Sequence, residues 1–343
     1  MPSSSPGRLP PMSSVEASTL ASEEPRGSFN FWKQGAVAVF AWILVAALTL
    51  YLPNATRKWP MTEGLANLCL AIALLILLAG IAGRWSDGLG RRVQAVGPWL
   101  IALPVLLGIW EVLTAKLGLL PVPFFAPPQA LLDVYVEDWP RLLESLLHSA
   151  LLLGTGVALG AVTGFVAGVA IGWSSSIGYW LHPVLRTLGP VPSTALLPLC
   201  FFLFPTSWSA SVFLIALATW FPVTVLTWSG VASVDKAYYD VARTLGARPG
   251  FLIFNVAIPA ALPHVFVGLF MGLGASFSTL VVAEMMGVKA GIGWYLQWAQ
   301  GWAAYANMYA ALLIMALACS GLITALFLIR DRLLAWQQGT MKW

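Results

Sequence analysis

The residues of this sequence that could carry chemistry are few and far apart. His148, His182 and His264 sit singly near the ends of apolar runs, without the spacing of a metal site. Cys69, Cys200 and Cys319 lie inside such runs, and their number and spacing fit neither zinc ligands nor a disulfide framework. They read as small buried residues. Glu111 and Glu284 fall within or near the ends of apolar helices, where a charge is costly and often functional. Glu284 has two readings, a functional carboxylate or a helix-end carboxylate bonded to nearby backbone. Glu111 either tilts to the outer water interface or pairs with Lys116. The hydroxyls of Ser193, Thr194, Ser276, Ser278 and Thr279 either line a polar passage or serve close helix packing. No Gly-x-x-x-x-Gly-Lys-Ser/Thr loop is present to cradle phosphates, so the chain is not expected to hydrolyse nucleotide itself.

Elements able to position these groups must suit a composition that is 59% hydrophobic and only 9% charged. Soluble domains carry about a quarter charged residues, so a water-facing surface cannot be built here. A mean hydropathy of +0.81 makes lipid the main solvent of the fold. The net charge of +4 comes from 18 basic residues scattered between apolar runs, which points to membrane topology and away from nucleic acid.

Runs of about 17 to 25 apolar residues cross a bilayer as helices. Eight stretches meet or approach that length: Gly35 to Leu52, Leu65 to Ala82, Pro98 to Leu117, Leu147 to Ile171, Pro183 to Phe204, Ser211 to Trp228, Leu262 to Ala283 and Tyr309 to Ile329. They lack the alternation of barrel strands, and an open sheet would leave backbone groups unpaired in lipid. The expected fold is therefore an all-α integral membrane protein of about eight spans. Residues 1–30, rich in Ser and Pro, read as a disordered tail without a signal peptide. With that tail inside, only Arg57, Lys58, Lys116, Arg141 and Lys289 of the 18 basic residues fall outside. Basic residues are retained on the cytoplasmic side, so both termini, including the short tail 339–343, are expected there.

The outer connection after the third span carries Pro121, Pro123, Pro127 and Pro128, then helical apolar spacing from Gln129 to Leu147. It predicts an interfacial amphipathic helix. Of the 17 Trp residues, Trp32, Trp59, Trp85, Trp139, Trp173, Trp180 and Trp208 fall where aromatic belts anchor helices. Trp294, Trp298 and Trp302 recur every fourth residue before the last span. They suit a re-entrant or interfacial helix near the outer mouth, or contact with an external partner.

The connection after the sixth span, near 234–250, begins too polar to cross a membrane. Lys236 to Leu245 has the pattern of a short helix, and Gly246 is placed to end it in the left-handed conformation. Arg248, Pro249 and Gly250 turn the chain into an apolar helix punctuated by Pro259 and Pro263. This is either an ordinary amphipathic loop or a stiff lever facing the cytoplasm.

At these residues the sequence resembles the permease subunits of bacterial ABC importers. Their cytoplasmic signature is Glu-Ala-Ala, a Gly four residues after the second Ala, and later Ile-x-Leu-Pro. The corresponding residues are Asp240, Val241, Ala242 and Gly246, then Ala257, Ile258, Pro259, Leu262 and Pro263. Asp stands for Glu and Val for the first Ala. The resemblance extends over 98–338 and is nearest the taurine, alkanesulfonate and nitrate group. Phe125 to Pro128, Pro190 to Pro192, and Ser278 to Glu284 followed by Gly291 to Gly293 also support it.

The resemblance implies a six-span permease core over 98–338, preceded by two extra spans over 31–97 whose role it leaves open. It implies a second copy of the permease, cytoplasmic ATPase subunits holding ATP and Mg, and an external substrate-binding protein, all at a bacterial inner membrane. Tyr239, Asp240, Ala242, Arg243, Leu245, Gly246, Pro259 and Pro263 are then the ATPase-coupling residues. Ser193, Thr194, Ser276, Ser278, Thr279 and Glu284 are candidates for the path of a small anion such as a sulfonate, nitrate or bicarbonate. A secondary transporter would need its own coupling-ion sites and an internal repeat, and a membrane-embedded enzyme would need clustered His, Cys or carboxylates. Neither pattern is evident in the sequence.

Overall fold

A computed structural model describes residues 32–55, 58–83 and 87–337. The expected tail over 1–30, Arg57, Arg84, Trp85 and the segment 339–343 lie outside the described residues. Among those described, the secondary structure is helical and contains no strand. In chain order the helices are α1 (Lys33–Tyr51), α2 (Thr62–Ala82), α3 (Asp87–Glu111, extended by a π turn at Val112–Lys116), α4 (Pro128–Glu137), α5 (Trp139–Trp173) and α6 (Ser175–Leu188). They continue with α7 (Leu197–Leu203), α8 (Ser207–Ala232), α9 (Lys236–Thr244), α10 (Pro249–Gly287, with a π turn at Ile253–Ala257), α11 (Ile292–Gly301) and α12 (Tyr305–Leu333).

Seven described helices, α1, α2, α3, α5, α8, α10 and α12, are long and apolar enough to cross a membrane. The run Pro183 to Phe204, expected as one span, falls in α6 and in Ser193–Leu203, a 3₁₀ turn running into α7; the two pieces are set at 85°, and counting this bent pair as a broken span gives eight. The break falls at Gly189–Pro190–Val191–Pro192. Both prolines lack an N–H, and each disfavours helical geometry in the residue before it.

A second departure concerns Gln129 to Leu147, expected as one interfacial helix. It is divided at Asp138: α4 ends there, and the remainder forms the first turns of the 35-residue α5. Pro140 occupies the first turn of α5, a position where its missing N–H leaves no helical bond unmade.

The chain forms two compact units. One comprises α1, α2 and α3 as far as Trp110. Within it the Trp42 indole donates to the Leu100 carbonyl at 3.2 Å, and Gly108 lets α3 close on Val45. The other unit holds Asn54–Thr62 and everything from Glu111 onward.

The centre of the second unit is α8, packed along both α5 and α10. Gly156, Gly160, Gly164, Gly168 and Gly172 recur every fourth residue on α5 and face α8. A Cβ at Gly160 would stand 2.3 Å from the Ala216 carbonyl oxygen, and one at Gly164 2.8 Å from that of Trp220. On an adjoining face, Gly268 and Gly272 of α10 also approach Val223 and Thr219. Helix association in lipid depends on such close contact, because apolar side chains gain nothing by leaving lipid for one another. Buried hydroxyls complete the seam: Thr219 and Ser276 lie 2.6 Å apart, and both also reach the Ile215 carbonyl.

Gly160→Ala is expected to destabilise the purified chain by about 1–3 kcal/mol, the usual range for overpacking. Gly154→Ala, whose new methyl would meet nothing within 4 Å, should leave thermal unfolding unchanged or slightly later through improved helix propensity. Melting curves of the two variants in one detergent check the contrast.

Candidate functional site

The polar connection after α8 folds as a short helix fixed at both ends. Asp235 caps α9, its Oδ1 accepting the Ala237 N–H at 2.9 Å. At the other end Ala247 N–H reaches the Ala242 carbonyl at 3.0 Å and Gly246 N–H that of Arg243 at 2.9 Å. This is the paired closure in which the residue past the helix takes a left-handed conformation, and Gly246 has φ +82°. An added Cβ there would meet nothing within 4 Å. Backbone conformation, not crowding by other described residues, is thus the reason for glycine.

One aromatic side chain anchors α9. Tyr239 meets the Trp173 ring edge-on at 5.9 Å and packs on the buried cluster of Val231, Ala257 and Ala261. Burial raises its phenol above the ordinary tyrosine range. Ala242, one turn on, is half-buried. Asp240, Arg243 and Leu245 face outward, with Asp240 and Arg243 forming an exposed pair at 3.6 Å. Tyr238, Val241 and Leu245 make an apolar stripe, 67%, 61% and 83% exposed. Beyond Gly246, exposed Phe251 and Phe254 border an open depression that also includes Arg248 and Asn255. Tyr238, Phe251 and Phe254 escaped the sequence reading, although Tyr238 has the spacing of one helix face with Val241 and Leu245. Pro259 lies just past the π turn, in which Ile258 N–H bonds the Ile253 carbonyl; Pro263 stands one turn further into α10.

Four of the hydroxyl candidates share a cavity of about 510 Å³. Ser193 and Thr194 come from the break between α6 and α7, Ser278 and Thr279 from α10, and Trp220 and Phe221 from α8. Ser193 Oγ lies 2.8 Å from Thr279 Oγ1. Ser276 belongs instead to the buried seam with Thr219.

Glu284 sits elsewhere, 1% exposed. Its Oε1 accepts the Ser149 hydroxyl at 2.7 Å and its Oε2 the Gly293 N–H at 2.8 Å. Ser149 Oγ in turn accepts the Ile292 N–H at 2.8 Å. The carboxylate therefore ties the end of α10 to α5 and caps the first turn of α11, where acceptors meet otherwise unpaired amides. Gly291 (φ +125°) and Gly293 leave room for it; a Cβ on Gly291 would fall 2.3 Å from Oε1.

Glu111 is likewise consumed by partners. It accepts from Gln129 Nε2 at 2.7 Å and lies 3.7 Å from Lys116 Nζ, which donates to Asn54 Oδ1 at 2.9 Å. The tryptophan stripe falls on α11, whose 10 residues span about 15 Å at 1.5 Å per residue, half a bilayer core. Trp302 is already past its end. Tyr295 on the same helix donates to Asp138 Oδ2 at 2.6 Å and accepts from Asn307 at 2.7 Å. Burial and the adjoining Asp138 carboxylate raise its phenol far above the usual range.

A family model for the binding-protein-dependent transport system inner membrane component matches residues 157–337, from within α5 to the end of the described chain. The chain belongs to this family of ABC importer permeases. It is 30% identical to the nitrate import permease protein NrtB of Synechococcus elongatus over 70% of this chain and 87% of that one. The putative aliphatic sulfonates transport permease protein SsuC of Bacillus subtilis is 31% identical over 73% and 91% of the two chains. The taurine transport system permease protein TauC of Escherichia coli is 31% identical over 74% and 93%. Among solved structures, a crystal structure of an amino acid ABC transporter with histidines contains a chain of the same fold. Its TM-score is 0.50 at 16% identity, covering 58% of this chain and 97% of that one.

The Glu284 clamp predicts that Glu284→Gln and Ser149→Ala each lower stability by about 1–3 kcal/mol, the range for a buried polar group deprived of its partner. Whichever way the glutamine amide turns, an N–H faces an existing donor. The double variant should lose less than the sum, as read from thermal unfolding of the four proteins.

Proposed function

We propose that this chain is the membrane-spanning subunit of an ATP-driven importer that carries a small oxyanion, of the nitrate, sulfonate, taurine or bicarbonate kind, across the bacterial inner membrane. The observation that carries the coupling role is α9: a helix capped at both ends, anchored by Tyr239 and presenting Tyr238, Val241 and Leu245 outward beside the depression at Phe251 and Phe254. Such a surface suits a cytoplasmic ATPase subunit, which supplies the ATP and Mg sites. The complex completes itself with a second permease copy and an external binding protein, with both termini of this chain cytoplasmic. Two added spans over 31–97 precede a permease core over 98–338.

Closure of the ATPase pair on ATP moves the two α9 helices together and shifts the spans between inward- and outward-open states. The driving energy is the difference in nucleotide affinity between those states. The cavity at Ser193, Thr194, Ser278 and Thr279 offers hydroxyls to the passing anion. Uncharged donors suit transit, since a site on a path must bind weakly enough to release. The nitrate, sulfonate and taurine permeases among the relatives support the oxyanion class.

Gly246→Val forces a β-branched side chain into the left-handed region and is expected to abolish uptake while the chain still inserts in the membrane. Gly154→Ala, away from α9 and with nothing within 4 Å of its new methyl, should transport normally. Normal uptake by Gly246→Val, measured with labelled nitrate, taurine and sulfonate, overturns the lever. The anion that raises the melting temperature of the binding protein identifies the cargo.

A further inference from the structure

The first unit contains a groove of about 400 Å³ with no place in the transport path proposed above. It is walled by Val39, Phe40 and Ile43 of α1, by Ile76 and Leu77 of α2, and by Val93 of α3. Phe40, Ile43 and Leu77 are exposed, so the groove opens sideways. Its polar groups gather at one end. There Trp32 and Gln94 line it, and the Trp32 indole nitrogen is buried with no hydrogen-bond partner among the described residues. The Trp32 ring lies over Gly35 and against Gly80, closing that end. Lys33 adjoins Trp32, while Arg91 and Arg92 stand between the lining residues Gly90 and Val93, all three exposed.

We propose that this groove binds an anionic glycerophospholipid, one acyl chain lying along α1 and α2 and the phosphate held by Lys33 and the indole N–H of Trp32. Three observations converge on that occupant. The helices forming the groove are long and apolar enough to be membrane spans, so its side opening faces hydrocarbon. From Gly35 to Ile43 it runs about 12 Å along α1 at 1.5 Å per residue, comparable with the ~15 Å depth of one leaflet. The basic residues stand at one end only, as a headgroup at the interface requires. The walls carry too few polar groups to hold a small free anion.

Native mass spectrometry of the full-length chain, titrated with phosphatidylglycerol and with phosphatidylcholine of identical acyl chains, tests the site. The wild type should bind phosphatidylglycerol about fivefold tighter, the worth of one basic group near an anionic headgroup. Lys33→Gln should remove that preference and retain chain binding. Ala36→Phe fills the groove and should weaken both lipids; Leu77→Trp, on the facing helix, does so from the other side should the first variant fold poorly. Equal binding of the two lipids by the wild type, or unchanged phosphatidylglycerol binding by a folded groove-filling variant, overturns the proposal.

Discussion

Helices in hydrocarbon are not pressed together by water, so they stay together only where their backbones come close and their polar groups are satisfied internally. In this protein that requirement falls on α8. Glycines of α5 and Gly268 and Gly272 of α10 admit it on adjoining faces that share Thr219 and Val223, with Thr219 and Ser276 hydrogen-bonded across the seam. Other features hang from this helix. Trp220 and Phe221 form part of the polar cavity, and Val231 near its end supports the Tyr239 anchor. A seam made of backbone contacts has little room to slip, so displacement at one end of α8 must be shared by α5 and α10.

The same constraint separates two kinds of polar residue that look alike in composition. Glu284 and Glu111 are buried and engaged by donors, Glu284 by Ser149 and Gly293 and Glu111 by Gln129 and Lys116. Each ties together elements distant in sequence. The hydroxyls on α10 divide by direction. Ser276 and Ser278 are two residues apart, which at 3.6 residues per turn sends them to nearly opposite faces. One therefore bonds to α8 and the other borders the cavity.

Most of the fold was legible because its signals are long. Apolar runs of span length, glycine at the end of a short polar helix and proline pairs all act through the backbone of the residues that carry them. Interruption at Pro190 and Pro192 was visible as a motif, yet the run around it was expected as one span; hydropathy averaged over the run does not register an 85° bend. The interfacial helix failed similarly at Pro140, where apolar spacing continues past a point at which the backbone restarts. Tertiary partners were the least legible. Nothing near Glu284 in sequence announces Ser149, 135 residues away, and only Gly291 and Gly293, the second of which supplies the amide it accepts from, hinted at a tight approach. Pairing of Glu111 with Lys116 was foreseeable at five residues' separation; Gln129 and Asn54 were not.

Under the proposed function, the way α9 is held determines what it can transmit. Its ends are fixed by Asp235 and by the closure at Gly246, so the helix moves as a piece and does not unwind under load. Its anchor, Tyr239, meets Trp173 at the end of α5 and packs against the cluster formed by Val231 at the end of α8 and Ala257 and Ala261 at the start of α10. A push on the outward stripe therefore arrives at all three packed helices together. Those helices are locked along their length by glycine contacts, so the push cannot dissipate as sliding between them and is carried toward Trp220, Phe221, Ser278 and Thr279. Opposite these residues the cavity is closed by Ser193 and Thr194, which belong to the bent segment between α6 and α7 and not to the locked trio. Relative movement of the trio against that bend is then the motion that alters the cavity, and the 2.8 Å contact between Ser193 and Thr279 is the bond it would break or make.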